Sequence, residues 1–275
     1  MSNTKFWLMR LVGAVLIAVI LMVGSVLPST PTADAQGTVV TQVLAIVSQN
    51  LGIFPAPTQG QLDLGDDSLA VPMSYRYSGL DLNDSAGVPS CTSRVMAEDE
   101  TLIGWVGYRV TVTVQGRRYE FRTNGSGAQI IRCAGGRQVD TNFGAPASRG
   151  TTRSGWDITD QTMRHLSNWL ELDVPITRQA VDEAYQARLN GEENNFPHRV
   201  SYRWSSRVFS NSALNCPASG GTWNNGDAAG YLITLTVNGR SYQYRTSLDG
   251  AVIILCLGGR ADPTSQGVTF AASDP

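Results

Sequence analysis

Six arginines sit on strand-like stretches of this sequence, each next to an aromatic residue: Arg76, Arg109, Arg118, Arg122, Arg203 and Arg245. A guanidinium offers a planar fork of donors that grips carboxylates bidentately, and arginine is favoured at protein interfaces. In that pattern the six would form a docking face for an anionic or aromatic-rich partner. The plainer alternative is a solvated polar sheet face. A second constellation is acidic: Asp63, Asp66, Asp81 and Asp84 fall in the related phrases "LDLGDDS" and "LDLNDSAG", with "AEDE" following at residues 97–100. Two carboxylates converging on a pocket could do general acid–base work on cell-wall or carbohydrate material. The progression Asp81, Asn83, Ser85 ending at Gly87 is half of a calcium loop, without the bidentate glutamate such a loop requires. Solvated turn aspartates account for the same residues.

Other chemistry is poorly supported. Only two histidines occur, His165 and His198, with no metal-binding spacing, so each is expected as a surface or capping residue. Lys5 is the only lysine and there is no G-x-S-x-G elbow, which removes the Ser-Lys and nucleophile-elbow hydrolases. We expect neither enzyme activity, metal nor cofactor. A formal net charge of -2 gives no field that would draw nucleic acid. Trp105, Trp156, Trp204 and Trp223 could anchor an interface, and only Trp204 falls on a predicted inward position.

The elements that must position these residues are written twice. Sliding the chain by 123 residues aligns Gly107–Arg137 with Gly230–Arg260 without a gap, and 18 of the 31 positions are identical. Such self-similarity marks a repeated structural unit. Within it Tyr108, Val110, Val112 and Val114 alternate with Arg109, Thr111 and Thr113, and Tyr231, Ile233, Leu235 and Val237 repeat the apolar face. "QGR" and "NGR" then predict tight hairpins, after which Tyr119, Phe121 and Thr123, or Tyr242, Tyr244 and Thr246, return inward. "SYRY" (residues 74–77) and "SYRW" (residues 201–204) supply a further strand with Tyr75, Tyr77, Tyr202 and Trp204 facing in. On this reading Arg118 and Arg122 stand in the open.

A sheet with one apolar face needs a cover, and an amphipathic stripe over Thr38–Leu51 provides one, stopped by Gly52. Further helices are predicted over Thr159–Leu172 and Thr177–Leu189. The fold class is therefore α+β: two homologous units, each an N-terminal helix on a four-stranded antiparallel sheet. Unit 1 covers residues 36–139 and unit 2 residues 158–275, joined by a small, polar linker at 140–157. The even set Cys91, Cys133, Cys216 and Cys256 argues for disulfides in an exported chain. Three pairings are possible in principle, and the repeat selects Cys91 with Cys133 and Cys216 with Cys256.

Residues 1–35 read as a secretory signal: Lys5 and Arg10, an apolar run from Leu11 to Leu27, then small residues at Ala33-Asp34-Ala35. An uncleaved anchor, making this a structural protein of the envelope, is the alternative, and it is the only expected contact with a membrane.

"NSALNCP", "GYLITLTVNGRSYQYRT" and Cys256 in unit 2, with "NLGI", "GYRVTVTVQGRRYEFRT" and Cys133 in unit 1, resemble a tandem-repeat pattern of exported bacterial proteins of unknown function. Cys91 departs from it, being followed by Thr92 instead of proline. The layout also resembles β-lactamase inhibitor protein at the level of fold. The repeat pattern implies no activity, and the second likeness is one of fold alone. From the leader, the cysteine-pinned loops and the lack of a catalytic signature we expect an exported binding or inhibitory module, with specificity in the loops over residues 80–102 and 208–229.

Overall fold

The computed structural model describes residues 33–66, 69–101 and 103–268, so the expected leader lies outside the described residues except for its last three, which open the first helix. Alternation of apolar and polar residues produces two antiparallel sheets. The first is built from β1 (Met73–Asp81), β2 (Arg94–Val95), β3 (Val106–Val114), β4 (Arg117–Asn124), β5 (Ile130–Ala134) and β6 (Arg137–Val139), in the order β2-β1-β3-β4-β5-β6. The second contains β7 (Val200–Asn211), β8 (Asn225–Val237), β9 (Arg240–Ser247), β10 (Ile253–Leu257) and β11 (Arg260–Ala261), in the order β11-β10-β9-β8-β7.

The sheets therefore hold six and five strands, where the sequence suggests four each. Of the three extra strands, β2 is a two-residue pairing of the following loop with the end of β1, and β6 and β11 arise because Gly135-Gly136 and Gly258-Gly259 all take positive φ and fold the chain straight back. Two successive left-handed residues make the tight turn whose twist matches antiparallel strands. The same geometry, at Gln115-Gly116 and Asn238-Gly239, closes the predicted hairpins.

Helix α1 (Ala33–Leu51) lays Val39, Val40, Val43, Leu44, Val47 and Leu51, all buried, against β3, β4 and β8. Its β-branched residues disfavour a helix in isolation, so this packing is what stabilises it. α2 (Gln59–Asp63) is one turn held by a Thr58–Gln61 capping box. α3 (Gly155–Trp169) starts four residues earlier than the apolar stripe suggests, because Ser154 caps it by accepting the Asp157 amide at 3.2 Å. α4 (Arg178–Asn190) runs from its Thr177 cap to a left-handed Gly191. Among the described residues no helix is long and apolar enough to cross a membrane.

One apolar cluster runs through both sheets, from Val43 and Phe121 to Met163, Ile233 and Tyr244. The stretch between the sheets is tied to both of them. Asn50, at the end of α1, accepts the Phe143 and Gly144 amides at 2.8 and 2.9 Å and donates to the Thr141 carbonyl at 3.1 Å. Phe143 and Ala145 exchange backbone hydrogen bonds with Asp227 of β8, so that Gly144 forms a parallel bridge with that strand. Farther along, Thr152 pairs with Phe54 and Arg153 with Leu248. These bonds satisfy part of the strap's backbone within the protein.

The disulfides Cys91–Cys133 and Cys216–Cys256 are both formed, with Cα–Cα separations of 5.6 and 6.1 Å. Each draws a long loop over the sheet face opposite the helices. Leu80 and Leu82 are buried beneath the first loop. Under the second, Phe209, Leu214, Ala228 and Ile254 form a separate apolar cluster with the disulfide.

Candidate functional site

The loops divide the six arginines into two kinds. Arg76, Arg118 and Arg203 are exposed, and Arg109 is partly covered. Arg122, expected in the open, is only 8% exposed. The loop pinned by Cys91 folds over it, a tertiary cover that strand alternation does not register. Its guanidinium donates to the Ser90 and Ser93 carbonyls at 3.1 and 2.6 Å and to Glu120 at 3.0 Å. Arg245 does the same in the second sheet, donating to the Leu214 carbonyl at 2.9 Å and to that of Asn215, the two residues before Cys216. Burial pulls the Arg245 guanidinium down from its ordinary value. These two arginines hold loops, and they do not belong to an open docking face.

The acidic residues do not converge. Asp63, at the end of α2, accepts the Tyr75 hydroxyl at 2.6 Å. Burial, reinforced by that carboxylate, pushes the Tyr75 phenol up to about 12. Asp81 lies six residues farther along the same strand as Tyr75, which is about 20 Å away at the usual rise. It accepts the Asn83 amide at 3.0 Å and Arg94 at 2.7 Å. The Asn83 amide foremost, and then Arg94, hold the Asp81 carboxyl below its ordinary value. The half calcium loop is thus occupied by its own contacts: Asn83 binds Ile103 and Trp105, and Ser85 bonds the Leu82 and Val88 carbonyls. Asp66 lies in the turn after α2, its amide donating to the Gln61 carbonyl. Asp84 is exposed in the short 3-10 turn Asn83–Ser85. Among the described residues, no group of histidines, cysteines and carboxylates is arranged to hold a metal ion.

His165 corrects a second expectation, being a core residue that is 8% exposed. Its ring nitrogens meet the Tyr244 hydroxyl at 3.0 Å and the Thr264 carbonyl at 2.9 Å. Since a carbonyl only accepts, the Nε2–H donates to Thr264, and Nδ1 of the neutral ring accepts the hydrogen bond of the Tyr244 hydroxyl. His198 ties the Val174 carbonyl at 3.1 Å.

Tyr77 departs from the predicted inward set, at 48% exposure. Its position in register with Val110 places it on the inner face. Trp204 of β7 packs edge-on against Trp156 of α3 at 5.7 Å, whereas the ring found beside Tyr77 among the described residues is Tyr75 of its own strand, at 6.4 Å. Tyr77 therefore lacks a cover of that kind.

The residues that join the sheets had no signature in the sequence. Asp227 accepts the Tyr119 hydroxyl at 2.7 Å and pairs with Arg117. Gln115 donates to Ser206, and Phe143 of the strap lies between Tyr119, at 4.7 Å, and Arg132, at 4.2 Å from its ring. A cleft of about 500 Å³ opens between α3 and α4. Its charges largely satisfy one another, since Asp160 pairs with Arg164 and accepts the Arg178 amide. Trp105 and Ile103 are large apolar residues in solvent, at 61% and 77% exposure.

Comparison with protein-family models, curated proteins and solved structures finds no match for this chain.

Proposed function

We propose that this is an exported, non-catalytic binding or inhibitory module built from two homologous units, with specificity carried by the loops over residues 80–102 and 208–229. The observation that carries the reading is the identical fastening of both loops. Each is tied by a disulfide and clamped on two loop carbonyls by an arginine, the buried Arg122 or the half-buried Arg245. Loops fixed this way present a preformed surface at low entropic cost on binding. Two disulfides are compatible with life outside the cytoplasm, as the leader-like N-terminus suggests.

Further correspondences support two units with a helix each. At an offset of 119 residues, Gln42 of α1 and Gln161 of α3 both rest on a turn glycine, Gly127 and Gly250, where an added Cβ would lie 2.4 Å from the glutamine oxygen. At the same offset Thr58 and Thr177 cap α2 and α4, and Asp63 and Asp182 accept the hydroxyls of Tyr75 and Tyr202. α2 is then a shortened counterpart of α4.

The test is a screen of the purified mature chain against envelope extracts, with each loop replaced in turn by a Gly-Ser connector. The expected result is a partner retained by the native protein and lost with a loop. Recovery of no partner, together with turnover of a small substrate that Asp63→Asn or Asp81→Asn abolishes, would overturn it.

A further inference from the structure

We propose that the Ile103–Trp105 corner is the contact centre for a protein partner whose docking face is an apolar pocket rimmed by basic side chains; this rests on the binding-module reading above and names the partner's chemistry.

The corner is apolar and in solvent. Trp105 is 61%, Ile103 77% and the neighbouring Val88 52% exposed. Large apolar groups clustered on a surface mark an interaction site more often than chance placement does, and tryptophan is the commonest anchor of such sites. The fold does not require a large residue here. Position 228, which matches Trp105 at the repeat offset of 123, holds a fully buried alanine.

The corner is also held rigid. Asn83 accepts the Trp105 amide at 2.9 Å and donates to the Ile103 carbonyl at 3.0 Å, and the Leu82 amide donates to the Trp105 carbonyl at 3.0 Å. The indole packs on Gly87, where a Cβ would lie 2.6 Å from its Cε3 atom. Gly104, at φ +88°, places Asn83 just as tightly. One side of the indole is thus fixed by the protein and the rest is left to solvent. Rigid aromatic display lowers the entropy lost on binding.

Charge selects the partner. Residues 80–102 contain five carboxylates and one arginine. Arg94 is shared by Asp81 and Glu100 at 2.7 and 2.6 Å. Asp84, Glu98 and Asp99 are exposed, and none takes part in an ion pair found among the described residues. An apolar centre set in a negative loop is complementary to a basic rim, and such pairing raises the association rate and excludes acidic surfaces.

The test measures binding of three synthetic peptides by calorimetry: alternating Leu and Arg, alternating Leu and Glu, and alternating Gly and Arg. The Leu/Arg peptide should bind alone, with affinity reduced about tenfold or more by Trp105→Ala and by Ile103→Ser. It should also weaken with added salt and in the Asp84→Asn, Glu98→Gln, Asp99→Asn variant, whose thermal unfolding should match the native protein. Absence of Leu/Arg binding, equal binding of the Leu/Glu peptide, or indifference to both apolar variants would overturn the proposal. If those results accompany capture of an envelope partner that depends on residues 208–229, the Trp105 surface is rejected and the module reading stands; with no capture through either loop, both fall.

Discussion

Tyr119 and Asp227, 108 residues apart in the chain, meet at 2.7 Å, the phenol of the first sheet donating to a carboxylate of the second. The same carboxylate takes Arg117, so two side chains of one hairpin are bound to one residue of the other sheet. Replacing Asp227 by alanine should cost about 2 kcal/mol, because it strands a largely buried hydroxyl. Calorimetry would check this: the native protein should unfold in one transition, and the variant at lower temperature with the two sheets beginning to separate.

Arg122 and Arg76 lie on the same face of the first sheet and should respond differently to truncation. Arg122→Ala removes the donor for two loop carbonyls and should destabilise by about 2 kcal/mol. Arg76→Ala and Arg203→Ala, both at exposed positions, should change stability by less than about 0.5 kcal/mol. Hydrogen exchange separates them further. Amides around Cys91 should lose protection in the Arg122 variant alone.

Each disulfide closes a loop of 42 or 40 residues, which on the chain-entropy treatment stabilises by about 4 kcal/mol. Replacing Cys91 and Cys133 together by alanine should lower the denaturation midpoint accordingly and free the loop over residues 80–102, whose Gly87 supports the Trp105 ring. Non-reducing peptide mapping of the native protein should show these two bridges and no cross-pairing.

Alkali should unfold the protein through its tyrosines. Burial foremost raises the phenols of Tyr119, Tyr231 and Tyr244 above their ordinary value. A raised pKa means the folded state holds the proton more tightly, so the contribution is complete below about pH 10, the unfolded value, and declines above it. Melting temperature should be level on the neutral side of that value and fall beyond it. Tyr244→Phe should make the alkaline fall shallower, and an unchanged slope would refute the assignment.

Local patterning was enough to read the hairpins, the buried faces of β3, β4, β8 and β9, the three longer helices and the cysteine pairing, since each depends on residues near in sequence or on the repeat itself. What escaped it depends on cover from elsewhere. The alternation at Phe121-Arg122-Thr123 sends Arg122 outward correctly, yet cannot report that a loop lies on that side. Tyr77 fails for the opposite reason, being on the inner face at 48% exposure without a helix ring over it of the kind that Trp156 gives Trp204. His165 lies on a helix like many surface histidines, and its burial follows from Tyr244 and Thr264, distant in the chain. α2 had a legible signal, the threonine cap and following aspartate that recur at Thr177 and Asp182, too short to stand out alone.

The strap that pairs with Asp227 and Asn50 also decides how this protein can be cut or changed. A fragment ending before it would leave Asn50, at the tail of α1, without the Thr141, Phe143 and Gly144 partners it binds, beside an apolar cluster opened along its middle. Neither half is therefore a portable piece for fusion or exchange. A substitution that loosens one sheet is therefore felt in the other, through the shared apolar cluster and the strap that crosses between them.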